Sequence, residues 1–242
     1  MILLKFFAII FIESKDDSET EVTDMTIADV LNMNFPTEFG YCTDGGDEET
    51  PALEEVYAQL NDDVETVYGA TKFIIFLNEN EVAKIPFNGS FSSYKYNKET
   101  HKYDEEFTFN WFNTTDYCDI EAAVYEDAVT EGVGCFFAAT RQAGVTNTQK
   151  PIYVSERVYG FYEEEKRNAH SPSKDSLKKA QETNTSFPCE WLARAYEFYG
   201  DELVSRFVHF IKDAGINDLH TGNIGFRADG APVLFDYSGY YE

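Results

Sequence analysis

The sequence predicts an α+β fold, on three observations. Short apolar runs at 64–68, 72–77 and 81–87 follow one another, separated by Gly69-Ala70-Thr71 and Asn78-Glu79-Asn80, the pattern of two hairpins in series. Farther along, 190–199 and 201–214 carry apolar residues at helical spacing, with Leu203, Val204, Phe207, Val208 and Ile211 forming one stripe. Near the end, Ile224-Gly225-Phe226 and Val233-Leu234-Phe235 flank the turn signal Ala228-Asp229-Gly230 and predict a last short hairpin. Strands early in the chain, helices later and a last hairpin make the reading α+β.

Composition narrows the class. A chain of 242 residues with 43% hydrophobic and 16% aromatic residues can bury a substantial core, either as a single large domain or in two lobes. The net charge of −25 argues against nucleic acid, whose phosphate backbone selects basic surfaces. The same field repels a nucleotide, so a bound nucleotide needs a divalent cation to carry it. The acidity reads as a solubilising surface; a nucleic-acid mimic would need its carboxylates gathered on one face. Cys42, Cys118, Cys135 and Cys189 are widely spaced with no C-x-x-C pair, which predicts no zinc site and fits a reduced, cytoplasmic protein. The apolar run Met1–Ile12 is too short to span a bilayer. It lacks a basic lead and a small-residue cleavage site, so it reads as a buried element, and no membrane partner is expected.

Taken in order, residues 1–63 read as an N-terminal extension. Thr26–Met33 is a short helix. Thr50 caps a second one, Pro51 takes its first position, and Leu53, Val56, Tyr57 and Leu60 share a face. The strands at 64–87 follow. Lys84 stands within the third, between Ala83 and Ile85, and an ammonium among apolar neighbours calls for a carboxylate or a phosphate. Val82 lies two residues before it on the same face. Residues 88–115 form an insertion in which Tyr94, Tyr96, Phe107, Phe109 and Trp111 alternate, as in a half-buried hairpin folding back on its own domain. A helix over Cys118–Glu131, ended by Gly132, turns Ile120, Ala123, Val124 and Ala128 inward. Glu121 sits at the border of that face, within reach of Lys84, and Asp127 is a second carboxylate near it. Cys135–Thr140 and Ile152–Val158 read as two more strands joined by the polar loop Arg141–Lys150, and Glu163–Ser186 as an exposed loop or weak helix. Glu190–Tyr199 turns Trp191, Leu192, Ala195 and Phe198 inward; Asp201 caps the next helix and Gly215 stops it.

Chemistry concentrates in the loop Ile216–Phe226 and the hairpin after it. Asp218 is followed five residues later by Asn223, and Asp236 comes directly after the return strand. The hairpin brings Asn223 and Asp236 to one end, beside Asp218. Three oxygen-bearing side chains at a strand end suit a hard cation such as Mg²⁺ and the phosphates it carries.

These residues, D-L-H-x-G-N at 218–223 and D-Y-S-G at 236–239, resemble the catalytic and metal loops of the protein-kinase-like superfamily. The wording is closer to its atypical and small-molecule kinases, such as aminoglycoside and choline phosphotransferases. Val82-Ala83-Lys84-Ile85 resembles the strand whose lysine grips the α- and β-phosphates. The resemblance covers about 64–239. It implies a two-lobed α+β fold: an N-lobe at 64–160 with a five-stranded antiparallel sheet, and a reduced, mainly helical C-lobe at 161–242, with Tyr159-Gly160-Phe161 as the hinge. It implies Asp218 as catalytic carboxylate, Asn223 and Asp236 as Mg²⁺ ligands, Lys84 as phosphate-binding lysine held by Glu121, and Val82 near the adenine of ATP. Gly69, Thr71 and Lys72 take the place of the glycine-rich loop.

The sequence also departs from the pattern. Only Gly69 remains of three loop glycines, Ile216 stands where the family has a histidine, and the chain ends soon after Gly239, where kinases continue into an activation segment. The compact layout resembles kinase-like proteins of bacteriophages, which would place the chain in a host cytoplasm; that is a likeness of layout rather than of motif. The expected function is Mg·ATP binding with transfer of the γ-phosphoryl group to a hydroxyl on a protein or small-molecule acceptor. The alternative is a catalytically inactive pseudokinase or an acidic interaction protein.

Overall fold

A five-stranded antiparallel sheet, its strands in the order β2 (Thr66–Tyr68), β3 (Lys72–Phe76), β4 (Glu81–Pro86), β8 (Pro151–Glu156) and β7 (Thr140–Val145), is the frame on which the chain is built. The computed structural model describes residues 25–43, 50–112, 116–161, 171–183 and 185–237. The run Met1–Ile12, the start of the loop expected at 163–186, and Ser238-Gly239 lie outside them. The elements in chain order are α1 (Ile27–Asn32), β1 (Gly40–Cys42), α2 (Pro51–Tyr57), β2 (Thr66–Tyr68), β3 (Lys72–Phe76), β4 (Glu81–Pro86), β5 (Gly89–Asn97) and β6 (Lys102–Trp111). After these come α3 (Tyr117–Thr130), a 3₁₀ turn (Gly134–Phe136), β7 (Thr140–Val145), β8 (Pro151–Glu156) and β9 (Tyr159–Gly160). The chain continues with α4 (Lys174–Glu182), α5 (Cys189–Tyr199), α6 (Asp201–Ala214), β10 (Ile224–Phe226) and β11 (Pro232–Leu234).

Register decides which side of the sheet is apolar. Ile74 pairs with Lys84, Phe76 with Val82, Lys84 with Tyr153 and Val82 with Ser155. Opposed residues share a face, so Lys72, Ile74, Phe76, Val82, Lys84, Tyr153 and Ser155 lie on one side of the sheet. The other side carries Phe73, Ile75, Ala83, Ile85, Ile152 and Val154, all buried in one core with Val30, Phe35, Phe39, Leu53 and Val56 of the preceding segment. The N-terminal extension therefore shares a core with the sheet. It is pinned there by its helix starts. Thr26 and Asp29 form a reciprocal capping box on α1, and Thr50 caps α2 with Pro51 at the first position. β1 joins the long β5-β6 hairpin as a parallel third strand.

A second core lies in the later half. Phe136, Phe137, Trp191, Leu192, Phe207, Ile224, Phe226, Val233 and Tyr237 are buried together. β10 pairs with both β11 and β9. The approach of β9 requires Gly225, since a Cβ there would stand 2.1 Å from the Tyr159 carbonyl oxygen. Trp191 Nε1 donates to the Gly225 carbonyl at 3.1 Å, tying α5 to the hairpin. Arg227 fastens the hairpin to the sheet: Nε and Nη2 donate to the two Glu156 oxygens at 2.6 and 2.9 Å, and Nη1 and Nη2 reach the carbonyls of Cys135 and Phe137.

Several sequence expectations are corrected. The strand expected over Cys135–Thr140 begins only at Thr140 and runs through the stretch read as a polar loop; Cys135 and Phe136 belong to the 3₁₀ turn. Polar Arg141 and Gln142 misled because β7 is an edge strand with an exposed side. Ala123, expected inward on α3, is exposed, as is Asp127; the buried positions are Cys118, Glu121 and Ala128. Phe198 is 50% exposed, packing on Tyr199 at the end of α5. Asp201 is the first residue of α6 and Gly200, at φ 81°, occupies the cap. Within the stretch expected as an exposed loop or weak helix, Lys174–Glu182 takes the helical alternative, capped by Ser173. On the insertion, Tyr94, Phe107 and Trp111 are exposed while Phe91 is buried against Phe109.

Candidate functional site

The polar face of the sheet meets α3 and the last hairpin at four charged side chains. Lys72 opens β3, Lys84 lies within β4, Glu121 is on α3 and Asp236 follows β11. Glu121 is fully buried and its two oxygens serve two lysines: Oε1 accepts from Lys72 Nζ, and Oε2 from Lys84 Nζ at 2.5 Å. Lys72 Nζ also reaches Asp236 Oδ1 at 3.2 Å. Lys84 Nζ donates to the carbonyl of Phe235 at 3.0 Å, the residue before Asp236. Each lysine is 4% exposed, whereas the Asp236 side chain is 40% exposed, so the cluster opens to solvent at its Asp236 end.

Two ammonium and two carboxylate groups make an alternating chain, Lys84–Glu121–Lys72–Asp236, with no net charge. Such burial is tolerated only where charges pair. Burial alone would lower the Lys72 ammonium, but Asp236 and then Glu121 hold it well above the ordinary lysine value. Burial would raise the Asp236 carboxyl; Lys72 and Lys84 outweigh it and hold it below the ordinary carboxylate value. One turn before Glu121, burial pushes the Cys118 thiol up, so it is a neutral packing group beside the cluster. α3 is aimed by its first turn. Asp116 caps it through the Cys118 N–H at 2.9 Å, and Tyr153 of β8 donates to Asp116 and Asp119 at 3.2 and 3.3 Å.

The loop residues stand at the same end of the hairpin. Asn223 is 6% exposed, and its carbonyl accepts from the Phe235 N–H at 3.1 Å, which sets it beside the strand that leads into Asp236. Its Nδ2 donates to the Asp218 carbonyl at 2.8 Å, which leaves Oδ1 as the acceptor end of the amide. The Asp218 side chain is half-exposed, and His220 Nε2 lies 3.3 Å from its Oδ1. The Gly222 N–H donates to His220 Nδ1 at 2.9 Å, so the neutral ring carries its proton on Nε2, toward Asp218. Ile216 and Leu219 are buried and anchor the loop.

Gly69 sits in the β2-β3 turn, its N–H bonded to the Lys72 carbonyl at 3.1 Å, and a Cβ there would meet nothing within 4 Å. The Thr71 carbonyl accepts from Phe87 N–H at 2.8 Å, closing that turn against the end of β4. Val82 is buried on the same sheet face as the lysines.

The structure thus brings Lys72, Lys84, Glu121 and Asp236 into one cluster and links Asn223 and Asp218 to it through the hairpin. Lys72, read from sequence as the first residue of a strand and as part of the turn that replaces the glycine-rich loop, lies inside. Counting back from the tight turn at 78–80 puts it on the Lys84 face, so the sequence does carry that signal. The contact between His220 and Asp218 was not anticipated; the empty histidine position at Ile216 was the cue. Two open cavities, of about 500 and 250 Å³, share Tyr125, Ala139 and Glu156, the first reaching Arg227 and the second Thr140 and Arg141 of β7. Neither is lined by a member of the four-charge cluster. No helix of the described residues is long and apolar enough to cross a membrane.

No family model and no curated protein matches the chain. A solved structure, the GDP and kanamycin complex of APH(2")-IIia, aligns over 73% of this chain and 67% of its own at 14% identity and a TM-score of 0.30. That correspondence is too loose to transfer residues or activity.

Proposed function

We propose that the chain is a kinase-like protein of two lobes that binds Mg·ATP and moves the γ-phosphoryl group to a hydroxyl acceptor. The observation that carries the reading is the Lys84–Glu121 ion pair, built between strand and helix and set directly against the loop that bears Asp236. A structural ion pair has no need of a second lysine and a partly exposed carboxylate at its solvent end. On this reading the sheet core belongs to one lobe and the later helical core to the other.

The donor chemistry fits a hard divalent cation. Asn223 is held through its nitrogen with its oxygen as the acceptor end, and Asp236 supplies an ionised carboxylate that solvent can reach. The bound cation would neutralise phosphate charge and orient the transferred group. Lys84, fixed by Glu121 and the Phe235 carbonyl, would hold α- and β-phosphate oxygens. Val82 offers apolar surface to the base, and the Gly69 turn leaves room for phosphate to approach its backbone. Asp218, oriented by His220, would accept the proton of the acceptor hydroxyl. Catalysis on this reading is positioning and electrostatics rather than covalent chemistry.

Calorimetry tests it. Wild type is expected to bind ATP saturably only with Mg²⁺, and Asp236→Ala to lose that binding. No heat at millimolar Mg·ATP would overturn the reading. Binding without turnover on any hydroxyl acceptor would reduce it to a nucleotide-binding module.

A further inference from the structure

Lys72 neutralises two carboxylates at once. Its ammonium touches Glu121 Oε1 and lies 3.2 Å from Asp236 Oδ1. Glu121 has a second partner in Lys84, so Lys72 is not needed to balance it. Asp236 is the solvent-facing end of the chain of charges, and its Oδ1 meets the Lys72 ammonium inside the protein. A metal ion approaching Asp236 from solvent therefore competes with a buried ammonium already in place.

We propose that Lys72 is a latch on the metal position: it occupies Asp236 Oδ1 until phosphate arrives, so that cation and nucleotide enter together and the cation alone is excluded. The inference rests on the Mg·ATP reading above. The physics is one of exchange. Bare Mg²⁺ drawn onto Asp236 would loosen the Lys72 contact at Oδ1 and leave two buried ammonium groups sharing Glu121 beside a doubly charged ion. When polyphosphate enters with the ion, its oxygens offer Lys72 a new acceptor, and the ammonium moves from one anion to another without being stranded. Affinity for the cation then depends on the nucleotide, and by linkage the nucleotide's on the cation, beyond their pairing in solution. In a chain carrying −25, whose surface attracts divalent ions without selection, a latch of this kind reserves one carboxylate for the ion that carries phosphate.

Mn²⁺ titration followed by electron paramagnetic resonance, with no nucleotide present, reads this directly. At the Asp236 site wild type is expected to bind Mn²⁺ weakly. Lys72→Met is expected to bind it at least tenfold tighter, the gain vanishing in Lys72→Met/Asp236→Asn. Lys72→Arg keeps the charge in place and should stay near wild type. Lys84→Met removes an equal charge whose ammonium bonds Glu121 Oε2 and the Phe235 carbonyl, and should gain far less. Circular dichroism on each variant checks folding, which Lys72→Met should retain because Glu121 keeps Lys84. Equal Mn²⁺ affinity in wild type and folded Lys72→Met would overturn the latch, as would an equal gain in Lys84→Met, which would reduce the effect to general field. Either result would leave the Mg·ATP reading intact if calorimetry still showed Asp236-dependent binding. Failure of wild type to bind Mg·ATP would sink both.

Discussion

Replacing Glu121 by Gln tests the cluster most sharply. The carboxylate is wholly buried between two lysines that are each 4% exposed. At contact distance and an effective dielectric near 20, each attraction is worth about 4 kcal/mol, against a desolvation cost of several kcal/mol per ion. The net value of the intact group is therefore small, but the cost of breaking it is not. In Glu121→Gln, Lys72 keeps Asp236 as partner, while Lys84 loses its carboxylate and keeps the Phe235 carbonyl. Stranding one buried ammonium costs about 3–5 kcal/mol. At about 2–4 °C per kcal/mol for a chain of this size, the melting temperature should fall by roughly 6–20 °C. Urea unfolding at constant slope measures the free energy. The double variant Glu121→Gln/Lys84→Met removes the stranded charge and should recover about 2 kcal/mol. A loss below about 1 kcal/mol, or no recovery in the double variant, would refute the claim that both lysines are held charged inside by one carboxylate.

Other expectations follow from single contacts. Arg227→Ala removes the paired bonds to Glu156 and two carbonyl contacts between hairpin and sheet, and should destabilise by about 2–4 kcal/mol, with Arg227→Lys restoring less than half; chemical denaturation decides. Asp236 has a depressed carboxyl, so its contribution is present above the ordinary value of about 3.9 and is lost as pH falls through the lower folded one; Lys72 is raised, so its contribution is present below about 10.4 and is lost as pH rises through the higher folded value. Wild type should thus lose stability below about pH 4 more steeply than Asp236→Asn, which a pH series of melting curves would show. Gly69→Ala meets no neighbour, so stability should move by less than about 0.5 kcal/mol while Mg·ATP affinity falls severalfold in calorimetry; unchanged affinity would mean that phosphate does not approach this turn. His220→Ala should lower turnover about tenfold with KM little changed, and His220→Gln, which keeps a donor toward Asp218, should restore some of it; equal loss in both would make the ring a structural element only.

What could be read from the sequence was whatever local rules control. Thr50-Pro51 fixed the start of α2, Gly215 in the left-handed region ended α6 as expected, and the turn around Gly230 placed the last hairpin. The misreadings share a cause. β7 hides one face only against a neighbour that no local pattern reveals, so its polar residues looked like loop. α3 buries a glutamate, and a periodicity count that scores only apolar residues rotates such a helix wrongly. The charged residues of the site were nameable because ammonium and carboxylate groups at strand and helix positions demand partners. Which partner each would take was not, since that depends on the β3-β4 register and the packing of α3, both of them long-range.

The division of the sheet into two faces explains why these charges can be buried at all. On one face the side chains of Phe73, Ile75, Ala83, Ile85, Ile152 and Val154 are packed by α1, α2 and the aromatic residues of the extension. That core contributes roughly 1.5–3 kcal/mol per large buried side chain to holding the strands. The opposite face is thereby released from the task of holding the sheet together. It can carry Lys72, Lys84 and, through α3, Glu121, whose mutual attraction does little more than offset their desolvation. A sheet lacking the extension would expose its apolar face, and the polar face would have to supply the missing packing, which ammonium groups do not do. The N-terminal segment, which contributes none of the four charged side chains, is on this argument what permits the charged face to exist.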